Sequence, residues 1–299
     1  MNIISKLKHI YEHHYKKLLL IPIIMVVLAF LQIGLQVVNT GDFVNKGISL
    51  KGGSTITISK PLLLTESELE AALKSEFPTA DITVRTISSA GKTVAMAIDS
   101  DAQEDEVPAL VSSLTKLTSL NQEDYSVEIV GSSLGESFFK QTAIAMLIAF
   151  LLMAIVVSLY FQKLIPVAAV LLAAFSDIVV TLAIFNLTGI KLGTSGVAAF
   201  LMLIGYSVDT DILLTSRVLK RQDGSLMERI YGAITTGLTM TAATFAAILT
   251  TLLLVNNETV KQIMIILVIG LIIDSIMTWI QNAAILRLYF ERKEKKVKA

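Results

Sequence analysis

Apolar positions dominate six separate stretches of the chain, each long enough to cross about 30 Å of hydrocarbon as a helix. They lie at residues 18–38, 138–160, 165–187, 195–215, 230–255 and 260–288. Residues 39–137, between the first two, have a different pattern. "ISLKGGSTITIS" alternates as a strand does, and "TESELEAALKSEF" repeats Leu69, Ala72, Leu73 and Phe77 on one helical face. Thr65 and Glu68 stand at capping-box spacing in front of that face. "DITVRTI" and "KTVAMAID" flank Ser88-Ser89-Ala90-Gly91, a hairpin signal, "EDEVPALVSSLTKLTSL" predicts a second helix, and "YSVEIVG" a last strand. The acidic residues Asp101, Glu104, Asp105 and Glu106 are expected to serve the N-terminal dipole of that second helix rather than a metal. The order βαββαβ is that of a ferredoxin-like domain. The predicted fold is therefore a six-helix membrane protein with one α+β domain between its first and second helices.

Composition agrees. The chain is 54% hydrophobic, 17% charged and has a mean hydropathy of +0.69, too few charges for a soluble protein of 299 residues. With no cysteine, disulfides and thiolate metal sites are excluded. The first apolar stretch is too long for a signal-peptide core and is expected to remain as an anchor. Lys6, Lys8, Lys16 and Lys17 precede it; Lys163 follows the second stretch; Lys220, Arg221 and Arg229 follow the fourth; Arg287, Arg292, Lys293, Lys295, Lys296 and Lys298 close the chain. With six crossings all these segments share one side, which the positive-inside rule makes the cytoplasm. The expected arrangement is a multi-pass protein of the cytoplasmic membrane. Residues 1–17 and 289–299 lie inside and 39–137 outside, and residues 138–288 form a five-helix bundle.

Four carboxylates interrupt the apolar stretches: Asp177 in the third, Asp209 and Asp211 in the fourth, Asp274 in the sixth. Ionisable groups at membrane depth are costly and mark ion or proton pathways. Asp274, Thr278, Gln281 and Asn282 share one helical face, and Thr181 stands one turn from Asp177. Asp209 and Asp211 are about 200° apart on a helix, so Asp209 sides with Gly205, and Asp211 with Ser207 and Thr215. In the fifth stretch Gly232, Thr236, Thr239, Ala243 and Ala246 form a small-residue face suited to close helix approach. Arg217 is expected to snorkel to the cytoplasmic surface. Gly52, Gly53 and the segment from Gly131 to Gly135 are the expected hinges of the outer domain. No nucleophile–base set, cofactor fingerprint or metal cluster is visible, so neither enzyme activity nor a cofactor is expected, nor a nucleic-acid partner. The bland alternative is that the carboxylates accept hydrogen bonds and fix helix register.

These residues also carry a resemblance. "IGYSVDTDILLTSRVLKR" resembles the fourth-helix signature of the SecD/SecF family of protein-export membrane proteins, in the archaeal form of its SecF branch. "KGISLKGGSTI", "VGSSLGESF", "AAFSDIVVTLAIF" and "MERIYGAITTGLTMT" are similar to further family motifs in unchanged order. The resemblance implies membership of the resistance-nodulation-division superfamily, a SecD-like partner subunit, and a place beside the Sec translocon channel. There it would help preproteins cross the bilayer with the aid of the proton gradient. It makes Asp209 and Asp177 the leading proton carriers, with Asp211 and Asp274 as helpers. Bacterial relatives carry Asn-Asp where this chain has Asp209-Thr210, which leaves open by one position which carboxylate corresponds. An alternative is a half-size proton-coupled transporter of a lipid or other hydrophobic molecule.

Overall fold

The structure, a computed structural model, describes residues 3–59, 64–89, 92–221, 224–255 and 257–298. Among the described residues six helical spans are long and apolar enough to cross a membrane: Tyr15–Thr40, Ser132–Phe161, Leu164–Leu187, Thr194–Lys220, Leu226–Leu254 and Thr259–Lys293. An amphipathic helix, α1 (Ile3–His13), precedes them. The first span comprises a short α2 (Tyr15–Leu18) and α3 (Leu20–Thr40). Then come α4 (Ile48–Lys51), α5 (Glu66–Glu76) and α6 (Val107–Thr118) in the α+β domain. The remaining spans are α7 (Ser132–Phe161), α8 (Leu164–Leu187), α9 (Thr194–Lys220), α10 (Leu226–Leu254), and a last one in three parts. Those parts are α11 (Glu258–Ile276), a π-helical segment (Met277–Asn282) and α12 (Ala283–Lys298).

Helix ends explain where the spans outrun the apolar runs. Ser225 and Glu228 form a reciprocal capping box, so α10 starts at Leu226 ahead of its apolar run. At the N-terminal end of α9, Gln262 accepts from the backbone N–H of Gly193 (3.1 Å) and Gly196 (3.0 Å) and donates to the Lys191 carbonyl (2.6 Å). More than half of the α8 and α9 spans is buried and half of the last one, against 11% for the first span, α7 and α10. The bundle core is therefore α8, α9 and α11, with the others laid around it.

The α+β domain has the predicted topology: β1 (Gly53–Ile58), β2 (Thr83–Ser89), β3 (Lys92–Ser100) and β4 (Tyr125–Val130) form an antiparallel sheet in the order β2-β3-β1-β4. The turn residues Ala90 and Gly91 lie outside the described residues. Ile56, Ile58, Val84 and Ile98 of the sheet meet Leu69 and Leu73 of α5 and Leu110 and Leu114 of α6 in one core. The Thr65/Glu68 box starts α5 as expected.

Three expectations for this domain need correction. Ile48–Lys51 is a helical turn, and the strand starts only at Gly53. The cause is Gly52, whose φ of +86° ends the turn. Gly52 and Gly135 are also no loose hinge. A Cβ on Gly52 would lie 2.6 Å from the Ser132 nitrogen, and one on Gly135 2.9 Å from the Lys51 carbonyl carbon, so two backbones are pressed together. Finally, the acidic run stops before α6 begins, leaving no acid in its first turn. Asp101 instead accepts from the Asp81 backbone N–H (2.8 Å), and the Glu106 carboxylate turns back to Gln103 N–H (3.2 Å).

The same joint ties the domain to the loop between α8 and α9. Gly47 N–H donates to the Leu192 carbonyl (2.8 Å) and Leu192 N–H to the Asn45 carbonyl (2.6 Å). Lys51 (2.8 Å) and Lys191 (2.6 Å) both donate to Asp81. Burial pushes the Asp81 carboxyl up, but the two ammonium groups outweigh it and hold the group below its ordinary range.

Candidate functional site

The third, fourth and last spans meet in a polar cluster inside an otherwise apolar bundle. Asp177 of α8, Asp211 of α9 and Asp274 of α11 are each no more than 1% exposed. They lie at equivalent helical faces because α8, α9 and α11 pack against one another pairwise. The Ser207 hydroxyl donates to Asp177 Oδ2. Thr210 Oγ1 lies 3.0 Å and Thr278 Oγ1 3.1 Å from Asp274 Oδ1. The Asn282 amide donates to Asp211 Oδ1 at 2.7 Å. Gln281 donates to the Ser176 hydroxyl at 3.3 Å, bracing the last span against α8.

Thr278, Gln281 and Asn282 all belong to the π segment, where hydrogen bonds run i→i+5. From this turn all three side chains face α8 and α9. Such segments recur at functional sites.

Satisfaction is incomplete. Asp177 Oδ1, Asp211 Oδ2, Thr181 Oγ1 and Asn282 Oδ1 are buried without a partner. No Lys or Arg pairs with the three carboxyls among the described residues. Three full negative charges with no counter-cation in this surrounding are expensive, a cost that neutral carboxyls avoid. The chemistry this arrangement offers is reversible proton exchange. Among the described residues no group of three or more His, Asp or Glu has the geometry of a metal site.

Comparison with known proteins agrees with the resemblance in the motifs. The family described as protein export membrane protein SecD/SecF, C-terminal, matches residues 110–292. The protein-export membrane protein SecF of Pyrococcus furiosus is 36% identical over 292 residues, covering 98% of this chain and 97% of that protein. Its counterpart in Methanothermobacter thermautotrophicus is 37% identical, covering 93% of each. The chain belongs to the SecD/SecF family. Its fold is also that of the crystal structure of SecDF, a translocon-associated membrane protein from Thermus thermophilus, with a TM-score of 0.73 at 17% identity. The match covers 93% of this chain and 38% of the longer SecDF chain. A SecD/SecF chain with six apolar spans is a multi-pass protein-export membrane protein.

In this SecD/SecF chain the carboxylates flagged in the sequence fall into two groups. Asp177, Asp211 and Asp274 converge, together with Ser207 and Thr278, while Thr181 is buried one turn away. Asp209 does not join them. It is exposed on the outer face of α9, with no hydrogen-bond or ion-pair partner among the described residues. Gly205, one turn before it, opens onto empty space. Arg217 does not snorkel. Its guanidinium donates to the Gly232 carbonyl and, at 2.8 Å, to Thr236 Oγ1 of α10. The small-residue face of α10 is likewise only partly used: Gly232 and Thr236 receive Arg217, while Thr239, Ala243 and Ala246 are exposed. Thr210 escaped the sequence reading, because its neighbours Asp209 and Asp211 drew attention to the faces on either side.

Proposed function

We propose that the chain is an accessory subunit of the Sec protein-export machinery. It assists preprotein translocation across the cytoplasmic membrane, coupled to the proton gradient and working with a SecD-like partner. The observation that carries this reading is the convergence of Asp177, Asp211 and Asp274 from three helices, buried, with a free carboxyl oxygen on Asp177 and on Asp211 and no paired cation among the described residues. The names of the relatives support the export role, and the positive residues at the helix ends support cytoplasmic termini and an external domain.

The partner reading rests on Asp209. An unpaired carboxylate facing lipid is unfavourable by several kcal/mol, and a second helical subunit laid over that face of α9 would remove the cost. Asp209 then forms the outer member of the proton path, at the seam, and the buried cluster the inner one. The SecD-like subunit would close the seam, the translocon channel would supply the preprotein, and the bilayer surrounds the rest.

The test is gradient-dependent export in vesicles carrying Asp211→Asn, Asp209→Asn or the corresponding Leu variants. Asn keeps shape and hydrogen bonding but cannot titrate. Loss of gradient stimulation in the Asn variants, with insertion intact, supports the reading. Full stimulation in both would make the carboxylates structural.

A further inference from the structure

The amphipathic helix α1 is fastened beneath the bundle. Arg287 of α12, itself only 8% exposed, donates through Nη1 to the Tyr11 carbonyl and through Nη2 to the Glu12 carbonyl, both at 2.8 Å. These are last-turn carbonyls of α1, which lack partners within the helix. Tyr231 of α10 donates to Glu12 at 2.9 Å, and Tyr15 to Glu291 of α12 at 2.7 Å. The ring of Tyr11 enters a cluster formed by Leu214 and Val218 of α9, Ile230 and Ala233 of α10, and Trp279.

From this position the Tyr11 hydroxyl donates to the backbone carbonyl of Trp279 at 2.7 Å. That carbonyl lies inside the π segment, between Thr278 and Asn282, whose side chains serve Asp274 and Asp211. Burial pushes the Tyr11 phenol well above its usual value, Arg287 counteracts in part, and the group remains a donor throughout the physiological range. On the other side the Trp279 ring is locked against Gly237, where a Cβ would overlap the indole. Trp279 is thus held by its ring from α10 and by its carbonyl from α1.

We propose that Tyr11 is a positioning residue for the buried carboxylates: by holding the Trp279 carbonyl it fixes the widened turn that presents Thr278 and Asn282 to Asp274 and Asp211. The proposal rests on the reading of the cluster as a proton site. The charged and titratable groups around the two ends are Arg287, Lys8, Glu12, Tyr231, Tyr15 and Glu291 at α1, and Asp177, Asp211 and Asp274 at the cluster. The cytoplasmic helix is connected to the carboxylates through one hydroxyl and one turn of backbone.

Dicyclohexylcarbodiimide, which modifies carboxyls in their protonated form, provides the test. The full chain is labelled across a pH series and modification at Asp177, Asp211 and Asp274 is read by peptide mass spectrometry, with backbone amide exchange followed in the same samples. Tyr11→Phe keeps the ring and deletes the donor. It is expected to move the half-labelling pH by about half a unit or more, the equivalent of one hydrogen bond. Exchange over residues 277–282 should also accelerate, while the outer sheet stays protected. Tyr15→Phe, which deletes a hydroxyl from the same corner without touching the π segment, should leave the profile in place. A Tyr11→Phe profile superimposed on a titrating wild type overturns the proposal, as does an equal shift in both variants. A wild-type chain whose labelling ignores pH overturns the reading of the cluster itself, and the proposal with it.

Discussion

Asn282 donates its side-chain amide to Asp211 Oδ1 at 2.7 Å, while Oδ2 of the same carboxyl has no partner. An amide donor can satisfy the carboxyl in either protonation state, without the charge that a lysine or arginine would bring to the cluster. The bond therefore joins the last span to α9 while leaving Asp211 Oδ2 unpaired.

Asn282→Ala deletes that donor inside a fully buried site. Leaving a buried acceptor unmet costs about 1–3 kcal/mol, so the thermal midpoint of the purified chain should fall, and gradient-driven export with it. An unchanged midpoint would show that the bond adds nothing to stability. Asn282→Asp places a fourth carboxyl in the same site and should be the more damaging of the two.

The contact between Gly52 and Gly135 leads to a second prediction. Gly135→Ala drives a methyl group into the Lys51–Gly52 backbone, which has no rotamer with which to retreat. Overpacking of this kind costs about 1–3 kcal/mol, and protease should reach the Lys46–Lys51 segment sooner. Gly34→Ala, in α3 with open space around it, is the comparison. It should be neutral or stabilising by about 0.5–1 kcal/mol, since alanine suits a helix interior better. Equal behaviour of the two variants would rule out the close approach.

Much of this architecture can be read from hydrophobic spacing. Six apolar runs and the βαββαβ alternation need only local periodicity, and the Thr65/Glu68 box only the next turn of chain. Spacing also separates Asp209 from Asp211, placing them on different faces of α9. It cannot say which face is inside, because that is decided by α8 and α11, which lie elsewhere in the sequence. The same limit hid the backbone contact of Gly52 with Gly135 and the reach of Arg217 into α10. A π segment is harder still. "MTWIQN" has no breaker and reads as plain helix, and its widening depends on the contacts that Thr278, Trp279 and Asn282 make with other helices.

Exposure of Asp209 makes a third prediction, about assembly. Met202 and Tyr206 share its face of α9 and are 46% and 37% exposed, so a cysteine at position 206 should crosslink to a SecD-like subunit in native membranes. A cysteine at Leu151, on the exposed surface of α7, should not. Because Asp209 has no hydrogen-bond or ion-pair partner among the described residues, Asp209→Leu should leave the isolated chain as stable as wild type. Asp211→Leu should destabilise it by stranding the Asn282 amide. Crosslinking at 151 but not at 206 would place the partner elsewhere.

The last prediction concerns pH at the outer joint. Asp81 receives Lys51 and Lys191, and its folded-state value lies below the ordinary one. A group depressed on folding contributes stability above its unfolded value, about 3.9 for an aspartate, and loses it as pH falls through the lower folded value. The joint should therefore stay closed through the neutral and mildly acid range, and open only below about pH 4. Amide exchange over residues 190–194 reads this directly, because the backbone bonds of Leu192 and Thr194 with the domain lie there. Asp81→Asn should accelerate exchange already at neutral pH, and higher salt should do so in part for wild type, since all three side chains are partly exposed. If exchange in wild type instead rises steadily between pH 7 and 5, Asp81 is not the fastening group, and the backbone pairing of Gly47 with Leu192 holds the domain without it.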